Sequence, residues 1–276
     1  MVAAKSPAVR RAATAVAAAG CAMAVLSGCG AAAGTDAKAA ADPAALVGGA
    51  VDALVRAGSA RVATSMRMAS GGTWVTVSGT GAFDFVRRQG RLILELPRDA
   101  AGTEEHKPVT ELFTPGALYM KDRGAGVPAG KWVRVDTATL SDGNLVTGGA
   151  TEPLAAAELL RGARGVVLAG RERLGGVAVT HVRGTADIAL AARAPGASAA
   201  LGAAARGFAV TRVPFEAWLD PEGRVRRVRE TFTVGSAGAP VQVTSTTSYA
   251  DFGAGAGVRL PRGADIWTGR IVSPPT

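Results

Sequence analysis

From Ala60 to Phe252 the chain is dominated by segments in which apolar and polar residues alternate, and this period of two constrains the fold more than any other feature. In RVATSMRM, Val62, Thr64, Met66 and Met68 fall on one side, and Arg61, Ser65 and Arg67 on the other. WVTVSGTGAFDF sets Val75, Val77, Phe83 and Phe85 on one side, with Gly79 and Gly81 between them. RLILEL contributes Leu92, Leu94 and Leu96, and VTELF, ALYMK and KWVRVD continue the pattern across short Gly or Pro breaks. Further on, RVPFEAWLD and RVRRVRETFTV flank the turn DPEG, and VQVTSTTSYADF is expected to close the sheet. A successive side chain on a strand points to the opposite face, so each segment predicts a half-buried antiparallel strand joined to the next by a hairpin.

Helical signals are fewer. DPAALVGGAVDALVRAGS opens with Asp42 as N-cap and Pro43 at the first helical position, and repeats Leu46, Ala50 and Leu54 beside Val47, Val51 and Val55 at intervals of four. That predicts an amphipathic helix ending near Gly58. TEPLAAAELLRGARG predicts a second, stopped at Gly162 or Gly165. A strand pair with Gly175-Gly176 as its turn is read from Gly165 through Leu190, and GASAALGAAARG reads as a helix or a loop. No linker divides residues 42–267, which are expected to form one α+β domain, a long antiparallel sheet with helices on one side; residues 268–276 read as a tail.

The start of the chain is of another kind. Lys5, Arg10 and Arg11 precede the apolar run AATAVAAAGCAMAVL, the layout of a secretory signal, and its 15 residues fall short of the roughly 20 that a spanning helix needs. The stretch LSGC resembles the bacterial lipobox, in which a diacylglyceryl group is transferred to the cysteine thiol and the chain is cut before it. Residues 1–28 are thus expected to be a removed signal and Cys29 the acylated first residue of the mature chain. Residues 29–41 would be a flexible tether of at most about 40 Å.

Composition narrows the function. Cys21 lies in the removed segment, so the exported chain keeps Cys29 alone, which excludes disulfides and Cys/His metal clusters. Loss of Lys5, Arg10 and Arg11 takes the basic count from 31 to 28 against 22 acids, a net charge of +6 that suits a surface of anionic lipids. Nucleic acid is not an expected partner in that compartment. The two histidines are His106 in the polar loop GTEEHKP and His181 on a strand with Val177 and Val179, or at its rim near Arg183. No G-x-S-x-G, P-loop, dinucleotide-binding or H-E-x-x-H motif occurs, and the acids read as loop residues with no apolar pocket to raise a pKa. The chain is therefore expected to have no catalytic residues, no metal and no cofactor.

A single sheet with one long apolar face and a few modest helices either rolls up and fills itself or leaves a cavity for an apolar ligand. The candidate wall residues are Val62, Met66, Met68, Val77, Phe83, Phe85, Leu92, Leu94, Phe113, Leu118, Met120, Phe215 and Leu219. Arg224 and Arg226 are candidates for lipid head-group contact. By parity they share a face opposite Arg227 and Arg229, and an equally good reading is that these arginines keep an exposed strand soluble.

Five segments, GTGAFDFVRRQG, ALYMKD with KWVRVD, VTHVRGTADI, VPFEAWLDPEGRVRRVRETF and SYADFGAGAGVRLP, resemble in order and spacing the LppX/LprG-type actinobacterial lipoproteins, relatives of the LolA/LolB carriers. The resemblance implies a large curved antiparallel sheet forming a half-open β-barrel, with helices covering its concave face around a hydrophobic cavity. It implies a lipid or glycolipid ligand, an extracytoplasmic lipid anchor at Cys29 and no catalytic residues; the Ala/Gly-rich residues 191–207 lie where an entrance cover could sit. The expected function is a monomeric carrier or presenter of lipids across the envelope, with an envelope transporter as possible partner. The alternative is a non-catalytic sensor or protein-interaction module on the same fold.

Overall fold

The structure is a computed structural model and describes residues 42–70, 73–97, 107–124, 126–147, 149–208, 210–234 and 240–269. The signal, Cys29, the tether, Glu104, Glu105, His106 and most of the C-terminal tail lie outside the described residues.

The first described element is helix α1 (Pro43–Arg56), capped as the sequence predicts: Asp42 accepts from Ala44 N at 3.0 Å, and Gly58 follows the helix at φ +80°. One meander comes next, β1 (Ser59–Ser70), β2 (Thr73–Asp84), β3 (Gln89–Glu95), β4 (Val109–Thr114), β5 (Ala117–Lys121) and β6 (Trp132–Asp136). Helix α2 (Pro153–Glu158) leads through a 3-10 turn (Leu159–Gly162) into β7 (Ala163–Leu174) and β8 (Val177–Asp187). After helices α3 (Ile188–Ala192) and α4 (Ala199–Gly207) come β9 (Arg212–Leu219), β10 (Val225–Val234) and β11 (Val241–Ala250).

All eleven strands share one antiparallel sheet in the order β6-β5-β4-β3-β2-β1-β11-β10-β9-β8-β7. The last strand does not close the sheet as the sequence suggested. It pairs with the first, from Arg61↔Ala250 to Met68↔Val243, and so joins two meanders at the centre. β6 and β7 are the two edge strands and do not pair with each other, so the sheet is open.

Small residues set how closely the strands of the first meander approach. A Cβ on Gly81 would stand 1.9 Å from Arg91 O, and one on Gly90 would stand 2.4 Å from the Phe83 ring. The glycines let the inward Phe83 lie across β3 and bring the backbones together.

Two elements depart from the sequence reading. β8 ends at Asp187 rather than running to Leu190, because the Asp187 side chain accepts from Leu190 N at 2.9 Å and caps α3. The arginines of β10 do not divide by parity either: a register shift between Val225 and Arg227 makes Arg226 an extra residue. Val225 and Val228 consequently both point into the core, while Arg227 and Arg229 stand on the outer face with their cross-strand partners Trp218 and Glu216.

These contacts predict opposite effects for two glycine substitutions. Gly81→Ala should lower stability by about 1–3 kcal/mol, the usual cost of overpacking. Gly48→Ala, on the exposed side of α1 with nothing within 4 Å of the added methyl, should raise it by about 1 kcal/mol. Denaturant midpoints of the two variants check both signs.

Candidate functional site

The inner face of the sheet is where the predicted wall residues meet. Val62 and Met66 of β1, Val77 and Phe83 of β2, Leu92 and Leu94 of β3, Phe113 of β4, Leu118 and Met120 of β5, and Phe215 and Leu219 of β9 are all buried there in one cluster with Phe85, and Met68 packs half-buried at its margin. Helices cover this face. α1 contributes Val47, Val51 and Leu54, α2 contributes Leu154 with the alanines Ala155, Ala156 and Ala157, and α4 contributes Leu201 with Ala204.

The same face carries acids that the sequence reading assigned to loops, and this is a correction. Glu111 is fully buried on β4 between Val109 and Phe113, and Glu230 is buried on β10 between Val228 and Phe232. Both Glu111 carboxyl oxygens and Glu230 Oε1 lack a hydrogen-bond partner. Burial pushes both carboxyls well above the usual carboxylate range, because ionising them in an apolar core is costly. Parity alone would have found them, since each shares its strand face with two apolar residues. Around them the polar groups that do pair tie helix to sheet: Thr151 Oγ1 lies 2.7 Å from both Leu145 O and Ser245 Oγ, and Tyr249 OH donates to Pro153 O at 2.6 Å.

One end of this interior is not filled. A cavity of about 320 Å³ opens where the β4–β5 turn meets the start of α4, lined among others by Phe113, Ala117, Asn144, Glu152 and Ala200. Asn144 is buried at φ +64°, with both side-chain amide atoms unpaired. Half-buried Glu152 has its pKa raised to about 8 by burial and by the neighbouring Glu158 charge, against the opposing pull of Arg88. A charged latch crosses this end. Arg88, in the β2–β3 turn at φ +54°, meets Glu158 of α2 at 2.5 Å and donates to Gly196 O at 3.0 Å, and Glu158 also accepts from Ser198 N at the start of α4 at 3.2 Å. Left-handed backbone costs a residue with a Cβ roughly 1–2 kcal/mol, so the latch offsets a strained turn.

The remaining candidates lie elsewhere. Arg224 is held by the buried Asp220 at 2.8 Å and by Glu222 at 3.1 Å, and together with Arg226 it covers the Phe252 ring, at 4.4 and 5.1 Å. His181 stands on the outer face of β8, stacked on Trp218 at 4.3 Å and 2.9 Å from Glu216, a histidine satisfied by local partners.

No protein-family model matches the chain, and no curated protein does. Similar solved structures include LprF from Mycobacterium bovis, at 15% identity and a TM-score of 0.42 over 80% of this chain and 97% of that one. Lipoprotein LppX from Mycobacterium tuberculosis is similar at 14% and 0.36 over 76% and 97%. A LolA superfamily protein from Nitrosomonas europaea is similar at 11% and 0.30 over 75% and 90%. LppX gives its name to the group that the sequence resembles. Scores of this size leave the fold resting on the strand order described above.

The buried acids predict a pH dependence. Above their unfolded value of 4.5, the native state holds protons that the unfolded state has released, so stability falls as pH rises, through about pH 8 for Glu152. The thermal midpoint of the wild type should drop between pH 5 and pH 8, and Glu111→Leu combined with Glu152→Gln should flatten that drop. Parallel pH profiles for the two proteins would contradict it.

Proposed function

We propose that the protein binds an acylated lipid between the sheet and its alanine-faced helices, and that as an exported lipoprotein anchored through Cys29 it carries or presents that lipid in the cell envelope. The observation that carries this reading is the mismatch between the two sides of the interior. The sheet offers Phe83, Phe85, Phe113, Leu94 and Met66, while α2 and α4 meet it with one leucine each, Leu154 and Leu201, among alanine methyls, and buried Glu111, Glu230 and Asn144 atoms are left unpartnered. Alanine surfaces bury little area, at about 25 cal/mol per Å², so lifting these helices costs less than separating two faces of large side chains. The unfilled end beside the Arg88–Glu158 latch gives acyl chains a place to start. The lipobox-like LSGC and the family resemblance support the same reading.

A second reading is favoured by how fully α1 and the core side chains already occupy the concave face: a filled interior suits a sensor or protein-interaction module on the same fold. Native mass spectrometry after incubation with bacterial lipid vesicles separates the two. The carrier reading expects a stoichiometric acyl lipid on the wild type and more rapid loading of Arg88→Ala, which lacks the latch. An unchanged apo mass for both proteins would favour the interaction module.

A further inference from the structure

The face of the sheet opposite the core carries a second set of cavities. After β11 the chain turns at Asp251 and residues 252–267 run back across the outer face as a strap fixed at both ends. Near its start Gly253 N donates to Ser59 O at 2.8 Å. At its far end Trp267 N donates to Trp132 O at 2.7 Å, Ile266 bridges Trp132, and Lys131 Nζ donates to Ala264 O at 2.8 Å. The strap thus crosses from β1 to β6. Two cavities of about 570 and 340 Å³ lie along it and share Arg91 and Gly257 in their walls, so they form one groove. Together they run from β11 to β6, seven strands and roughly 30 Å at the usual strand spacing.

The walls have a definite chemistry. Ala63, Ala82 and Ile93 form a floor of small and aliphatic side chains, with Ile93 36% exposed. Four cations, Arg61, Arg91, Lys121 and Arg259, stand against one acid, Asp251, which is 3.5 Å from Arg61. A groove with an apolar floor and a net charge of +3 complements a molecule that is apolar along its length and anionic at one point. We propose that this outer groove binds a single-chain anionic amphiphile, its acyl chain over Ala63, Ala82 and Ile93 beneath the glycines of the strap and its carboxylate or phosphate at Arg91 and Arg259. The site is on the opposite face from the interior discussed above and does not depend on it.

Equilibrium titration of the full chain with the fluorescent fatty acid cis-parinaric acid, and with its methyl ester, tests the proposal. The wild type should bind the acid at least tenfold more tightly than the ester. Arg91→Glu with Arg259→Glu should weaken binding of the acid at least tenfold and leave the ester unchanged. Ala63→Trp, which blocks the floor from an exposed position, should weaken both without moving the thermal midpoint. Millimolar inorganic phosphate should fail to displace the acid. Acid binding that survives both the charge reversal and Ala63→Trp would assign the ligand to the interior and overturn the proposal, as would absence of binding. Displacement by inorganic phosphate would reduce the groove to a simple anion site and overturn it equally.

Discussion

The pairing of β1 with β11 is the contact on which the rest of the molecule depends. It joins strands at opposite ends of the described chain, from Arg61↔Ala250 to Met68↔Val243, and turns two separate meanders into one sheet. Its register also fixes which face is inside. Val62, Thr64 and Met66 stand opposite Tyr249, Thr247 and Ser245, and a slip of one residue would send all of them to solvent.

With the register set, the apolar face is covered by α1, α2 and α4. α1 meets it as an ordinary amphipathic helix, α2 and α4 bring Leu154 and Leu201 among smaller alanines, and the charges of Arg88 and Glu158 hold their ends at the open margin. An ion pair at that margin is a suitable fastening for a moving part. One partner is buried and the other half-exposed, so the pair is firm when formed and can be solvated when broken. The unpartnered carboxyls of Glu111 and Glu230 lie in the same interior, exceptions to the rule that buried polar groups are hydrogen-bonded.

Most of the sheet was legible in the sequence, because a half-buried strand writes its inside and outside as alternate letters. The buried residues Phe83, Leu92, Leu94 and Leu118 could be read directly as inward-facing, as could the cap at Asp42 and the turns at Gly175-Gly176 and Asp220–Gly223. What alternation cannot encode is an interruption of itself. The extra residue at Arg226 shifted Arg227 and Arg229 to the outer face, and Asp187 ended β8 by capping a helix within an apolar run. The position of β11 was hidden for a different reason, since a strand's pattern gives its faces but not its neighbours. Glu111 and Glu230 were readable by parity and were missed because acids are seldom inside.

The most direct measurement is amide hydrogen exchange across α4 and the β1–β11 pair, with and without an acyl lipid. If α2 and α4 form a lid over a lipid-binding interior, amides of Ala199–Gly207 should exchange much faster than those of β1 and β11 in the free protein and slow markedly when lipid is present. If α4 exchanges as slowly as the central strands and lipid changes nothing, the helices are permanent core and the lid account is wrong.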